Sequence, residues 1–357
     1  MTKMEFIVEN KIVQKRRMPK IVIIIIIFTM ISIGGGTFLL YGPYSGFRNF
    51  LITTAMTTMN HQYLATFFYS DDVISKVLEE NKLIENSEST NTLKINTSKI
   101  ETVVYKNKYE KDILEHNENE EYKLLEIKEK NFSGYLVAIY DPAKIKLTVS
   151  SKLGKSGEYL IDMAKRENAI VAINGGGFID DTTLNSGGDA DGILIKDSQI
   201  ISSKRYGRSG GLIGFTKDNK LYLGRISANE AISLGIRDAV EFGPFLIVNG
   251  EASKVVGNGG FGLHPRTVIG QRKDGVVLFL IIDGRRIDSV GADMGDLIKI
   301  MQRYGAYNAA NLDGGNSSAL VIENKLINHP INWSNEEATR PIADGFIVVK
   351  WRKIYIQ

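Results

Sequence analysis

Four short segments of this chain place polar residues where an apolar run gives way to glycine. The first, Ala169–Phe178, reads AIVAINGGGF: an apolar strand ends at Asn174 and Gly175, Gly176 and Gly177 follow. Consecutive glycines let backbone N–H groups approach a ligand closely and form a nest for an anion. The second is His264-Pro265-Arg266-Thr267, which leads into the apolar run Val268-Ile269. Arg266 offers a planar fork suited to phosphate oxygens, and His264 a ring able to transfer protons. The third, Leu278–Arg286, reads LFLIIDGRR and delivers Asp283 to a strand end, with Gly284, Arg285 and Arg286 behind it. The fourth, Ala309–Ser318, reads AANLDGGNSS and delivers Asp313 in the same way, followed by Gly314, Gly315, Asn316 and Ser317. Taken singly, the glycine turns also look like ordinary tight turns, with Asn174 as a cap, and the second segment like a surface arginine beside a solvated histidine.

Other chemistries fit less well. Gly315-Asn316-Ser317-Ser318-Ala319 has the outline of a nucleophile elbow, but that motif needs a helix after the serine, and Ala319–Ile322 reads as a strand. There is no HExxH, P-loop, EF-hand loop or paired-histidine motif, so neither a metal site nor a cofactor is expected. Asp189-Ala190-Asp191-Gly192 lacks the later ligands of a calcium loop and reads as a polar turn. The chain has no cysteine, which excludes disulfides, thiolate metal sites and a cysteine nucleophile.

Together and in this order, the segments resemble the phosphodiester glycosidase family, which cleaves sugar-1-phosphate diesters. The resemblance rests on INGGGF (Ile173–Phe178), HPRTVIG (His264–Gly270), the DGR of Asp283–Arg285 and NLDGGNSSALV (Asn311–Val321). A closing Arg340 in TRPIADGFIVV belongs to it too, and the whole spans roughly Asn131 to Lys350. Asn316 stands where the family usually has a third glycine. What the resemblance implies is a hydrolase in which Arg266, Arg285 and Arg340 stabilise phosphate charge. Asp283 and Asp313 are its candidates for a carboxylate that attacks the sugar or activates water, with the two parts not yet told apart. Asn174 and His264 complete the implied catalytic set. Gly175, Gly176, Gly284, Gly314, Gly315 and Ser317 would hold sugar or phosphate oxygens. The implied partner is a sugar-phosphate or polysaccharide substrate of the cell envelope or an exopolysaccharide. Two rival classes remain: a non-catalytic carbohydrate-binding protein and a structural envelope protein. Binding modules read sugars through exposed aromatics, and the two tryptophans, Trp333 and Trp351, are late and scattered.

These residues need a scaffold, and the turn residues supply its outline. Pairs at Asp197-Ser198, Asp218-Asn219, Asn249-Gly250, Asp274-Gly275 and Glu323-Asn324 each separate two β-rich runs, which predicts five hairpins. Helices are expected within Gly157–Asn168, after the capping box Ser227-Ala228-Asn229-Glu230, and over Asp293–Tyr304. In the last, Met294, Leu297, Ile298 and Met301 share a face and Gly305 follows as a C-terminal cap. The expected class is α+β: a mainly antiparallel or mixed sheet with many hairpins and a few packed helices, preceded by one transmembrane helix.

Upstream, the composition changes twice. Residues 1–20 carry six basic against two acidic residues, a net of +4, while the whole chain is +3, so the remainder is slightly acidic. The basic character is confined to a short head and gives no support for nucleic-acid binding. Ile21–Leu40 is then free of charge over twenty residues, the length that crosses a bilayer. With the basic head before it, positive-inside logic places residues 1–20 in the cytoplasm and the bulk outside, a single-pass protein of the cell membrane. A cleaved signal peptide is the rival, but the run is too long and Thr53-Thr54-Ala55 is a poor cleavage site. Residues 41–125 read as a juxtamembrane stalk and linker, with a short amphipathic helix from Asp71, and residues 126–357 as the catalytic domain.

Overall fold

The computed structural model describes residues 18–58, 61–98, 105–181, 185–205, 210–331 and 337–350. The basic head up to Arg17 lies outside the described residues, as do Trp333 and Trp351. The chain divides into two units, Met1–Phe50 and Leu51–Gln357.

In the first unit, Lys20–Tyr41 is a helix of 22 residues, none of them buried. It is long and apolar enough to cross a membrane, a test that a signal sequence near the N-terminus also passes. Its two threonines turn their hydroxyls back onto the helix: Thr29 Oγ1 donates to the Ile25 carbonyl at 2.8 Å and Thr37 Oγ1 to that of Ile33 at 2.9 Å. Those bonds satisfy the hydroxyl protons within the helix itself.

The second unit is α+β. Three sheets dominate it, and every pairing among the described strands is antiparallel. The largest has seven strands, with Ala306–Leu312, Arg266–Arg272, Val277–Ile282 and Ser133–Ile139 side by side at its centre. A five-stranded sheet holds Leu320–Ile322, Ala169–Asn174 and Asp344–Val349 at its centre, and another is built around Gly211–Thr216 and Ile236–Phe242. All five expected hairpins are present. Their turns put Asp197, Ser198, Asn219, Asn249, Glu323 and Asn324 at positive φ, the backbone such two-residue turns require.

The run LFLII is apolar throughout because both faces of its strand are buried. Val277, Phe279 and Ile281 pack into the core that the large sheet shares with the other two. Leu278, Leu280 and Ile282 face the helix Met294–Arg303, through Met294, Leu297, Ile298 and Met301. That helix opens on Asp293, whose side chain accepts from the Asp296 N–H at 2.9 Å, and is followed by Gly305 at φ +75°. At about 1.5–3 kcal/mol for each fully buried large side chain, this double-sided burial is what holds the neighbouring strand ends in place.

The segment expected to be a stalk differs from that expectation beyond Phe50. From Leu51 on it belongs to the second unit. Ile52, Ala55, Ala65, Ile74 and Val77 are buried. Lys82–Ile84 pairs as a strand with Lys254–Val256, and the Asn96 N–H donates to the Lys273 carbonyl at 2.8 Å. The physical reason is that these contacts are far apart in sequence, so local composition carries no trace of them.

Candidate active site

Antiparallel pairing brings three of the four glycine-bearing segments to one rim. Arg266 pairs with Ile282, the residue before Asp283, and Thr267 pairs with Leu312, the residue before Asp313. Pro265 lies between the two aspartate turns. A Cβ on Gly284 would come within 2.7 Å of the Pro265 nitrogen, and one on Gly314 within 2.9 Å of its carbonyl oxygen, so both positions exclude a side chain. The fourth segment comes from the neighbouring sheet and is stitched on by Asn174. Its Nδ2 donates to the Asp313 carbonyl at 2.7 Å, and its Oδ1 accepts from Thr267 Oγ1 at 2.7 Å and from the Ala319 N–H at 3.1 Å.

A cavity of about 410 Å³ opens at this rim. Of the residues singled out in the sequence, His264, Arg266, Arg285, Asp313, Gly314, Gly315, Ser317 and Arg340 line it. Asp313 is half-buried, with Oδ1 accepting from the Gly314 N–H at 3.0 Å. Arg266 is pinned: Nε donates to the Ala292 carbonyl at 3.1 Å, and Nη2 to those of Phe261 and Gly262 at 2.7 and 2.9 Å. Burial lowers its pKa to about 10, with the nearby Arg285 charge adding to the effect and Asp293 opposing it. It therefore stays cationic at neutral pH. Arg285 donates to Asn316 Oδ1, and Arg340 lies over the Phe178 ring at 4.9 Å. Burial, and then the charge of Arg340, lower the pKa of Arg285. Three guanidinium groups around one partly buried cavity repel one another and favour an anion among them.

The other singled-out residues lie outside this lining. Asp283 is buried, and its Oδ1 accepts from the His329 N–H at 2.8 Å and from Asn328 Nδ2 at 3.2 Å. Burial raises its pKa, and those two hydrogen bonds work against the rise. Asp283 thus ties the loop at Asn328–His329 to the sheet rim. Asn174 is the stitch between sheets described above, while Gly175, Gly176 and Gly284 lie behind the lining rather than in it. His264 does reach the cavity, but its Nε2 lies 2.9 Å from Thr57 Oγ1. Burial, and then the charges of Arg266 and Arg285, push its pKa down to about 3. A ring so held is neutral at physiological pH.

Sequence reasoning passed over several wall residues. Met56, Thr57, Thr58 and Gln62 line the cavity from the segment read as stalk. Phe178, Asn311 and Asn316 lie inside the quoted motifs but were given no part in the site. Asn316, which stands where the family usually has a third glycine, accepts from Arg285. Asp344 was also missed. It is buried, and its Oδ1 accepts from the Gly176 N–H at 2.7 Å. Burial, opposed by that hydrogen bond and reinforced by the charge of Asp313, raises its pKa to about 7.

The last shift has a consequence for stability. In the unfolded chain Asp344 ionises near pH 4, as a model-peptide aspartate does, but in the fold only near 7. Between those values the native state binds more protons than the unfolded one. Its contribution to stability is therefore full below about pH 4 and is lost as pH rises through about 7. Asp344→Asn is expected to flatten this part of the curve, as measured by urea unfolding at a series of pH values. An unchanged slope would contradict the account.

The domain that carries this rim is of a known class. The family model for phosphodiester glycosidase matches residues 167–349, just over half of the chain, and the chain belongs to that family. Among curated proteins it is similar to the SPbeta prophage-derived uncharacterized protein YomE of Bacillus subtilis, at 33% identity over 201 residues, covering 53% of this chain and 30% of that protein. It is also similar to human N-acetylglucosamine-1-phosphodiester alpha-N-acetylglucosaminidase, at 26% identity over 190 residues, covering 47% of this chain and 35% of the enzyme. This chain thus spans about a third of the length of those two relatives. A solved structure with the same fold is the catalytic domain of the zebrafish enzyme, auto-inhibited by its pro-peptide. The match has a TM-score of 0.55 and 22% identity, and covers 66% of this chain and 86% of that one.

Proposed function

We propose that this chain is a membrane-anchored hydrolase that cleaves glycosyl phosphodiesters at the bond between the anomeric carbon and the phosphate oxygen. The observation that carries the reading is the half-buried Asp313 in a cavity walled by Arg266, Arg285 and Arg340, inside a phosphodiester glycosidase domain. A diester phosphate is a single negative charge that becomes a monoester dianion as the bond breaks. Cations fixed in a partly buried site stabilise the second charge more than the first, which lowers the barrier. The leaving group is already good, so little proton donation is needed, in keeping with a His264 held neutral. Asp313 then supplies the carboxylate, as nucleophile or as the base that takes a proton from water. In either course water's oxygen ends on the anomeric carbon and the phosphate monoester departs. Asp283 keeps a supporting part, holding the Asn328–His329 loop against the rim. The direct test is release of free sugar from a glycosyl phosphodiester by the purified protein. Tight binding of the diester without any release would favour a carbohydrate-binding role instead.

The anchor is proposed on the helix Lys20–Tyr41 and the basic head before it, with the second unit facing outward onto envelope or exopolysaccharide polymers. The absence of cysteine gives a clean test. A single Ser151→Cys substitution, at an exposed position, is expected to react with a membrane-impermeant maleimide in intact cells. A Thr2→Cys chain is expected to react only after lysis. The opposite pattern would reverse the topology.

A further inference from the structure

The cavity wall carries two kinds of polar group. Arg266, Arg285 and Arg340 offer donors only. Elsewhere on the wall stands Asn311, 3% exposed, brought there by the strand Ala306–Leu312. Its backbone N–H donates to the Pro244 carbonyl at 3.0 Å and its Nδ2 to the Gly243 carbonyl at 2.9 Å. The second bond fixes which way the amide faces, because the reverse orientation would set two carbonyl oxygens together. Oδ1 is left buried with no hydrogen-bond partner. An unpaired buried acceptor is costly, and native structures leave few of them.

A second cavity of about 250 Å³ adjoins the first and shares Phe242, Gly243 and Phe261 with it. Its wall also carries Asp191 and Glu241. Glu241 is buried, accepts from the Ile193 N–H at 3.0 Å and pairs with Arg205 at 2.9 Å. Carboxylates repel a phosphate. Carboxylates beside phenyl rings suit a sugar, whose hydroxyls donate and whose C–H faces are apolar. We propose that Asn311 Oδ1 accepts a hydroxyl or amide N–H of the substrate's sugar ring and that the second cavity receives the rest of that ring. The diester is thereby oriented with its phosphate on the arginines and a donor-bearing sugar toward Phe242–Gly243. This assignment rests on the glycosyl phosphodiester reading.

The experiment uses the full chain in detergent and a set of sugar phosphodiesters in which one ring hydroxyl or amide N–H at a time is removed. For the wild type, one deletion is expected to lower kcat/KM by about 10–100-fold. Asn311→Ala should lose a similar factor on the parent diester and nothing further on that one analogue, the signature of a direct pair. Inhibition by inorganic phosphate, which needs the arginines alone, should be unchanged in this variant. Glu241→Gln should raise KM about tenfold, and it decides the matter if Asn311→Ala does not fold. Equal slowing of every analogue by Asn311→Ala, a parallel loss of phosphate inhibition, or a wild type indifferent to every deletion would overturn the assignment. If the wild type hydrolyses no diester, the function fails separately. Binding of methyl glycosides, followed by NMR in wild type and Asn311→Ala, then decides the subsite: weaker binding in the variant supports it, and equal binding overturns it.

Discussion

Replacing Asp313 with asparagine is expected to lower turnover on a glycosyl phosphodiester by on the order of 10³–10⁴-fold, with little change in stability. The substitution keeps the shape, and Oδ1 can still accept from the Gly314 N–H, so the turn survives. What is lost is the charge and basicity at the cavity. Asp283→Asn makes the contrast. Its carboxylate lies outside the cavity lining and accepts from Asn328 and His329. The expected result there is that much of the turnover is kept and stability at neutral pH is not lowered, because burial already disfavours the charged carboxylate and Oδ1 can still accept both bonds. Rates of sugar release separate the two, and urea midpoints on the same preparations check the stability. Equal loss of rate in both variants would return Asp283 to the chemistry.

The second large effect concerns the scaffold. Asn174→Ala removes three hydrogen bonds at once and leaves the Thr267 hydroxyl, the Ala319 N–H and the Asp313 carbonyl without their partner. The expected cost is about 3–5 kcal/mol, or a fall in Tm on the order of 10 °C. Because one of those bonds holds Asp313, activity should fall as well, even at temperatures where the variant stays folded. A variant with wild-type Tm would show that the two sheets are held together by apolar packing alone.

These contrasts show where sequence was informative and where it was not. The five hairpins were legible because their turn pairs state a local backbone preference, realised as positive φ at residues such as Asn249 and Asn324. The helix Met294–Arg303 was legible from its apolar face and caps. Asp283 and Asp313 looked alike, since each ends an apolar strand and precedes glycine. What separates them is Asn328 and His329, about fifteen residues beyond the second aspartate and invisible as partners of the first. Asn174 looked like a ligand-binding residue because it precedes glycines, yet its amide is consumed in joining sheets. Met56, Thr57, Thr58 and Gln62 were missed because a Thr-rich and Met-rich stretch has no strong period, and their place at the wall depends on contacts such as Thr57 with His264, 207 positions away.

The central claim is tested most directly by one assay. The full chain, purified in detergent, is incubated with a sugar-1-phosphodiester, and the products are separated by chromatography with wild type and Asp313→Asn in parallel. The account predicts that wild type releases free sugar and a phosphate monoester in equal amounts, and that the variant releases almost none. Release of a sugar-1-phosphate instead, by cleavage on the far side of the phosphorus, or undiminished activity in the variant, would contradict it.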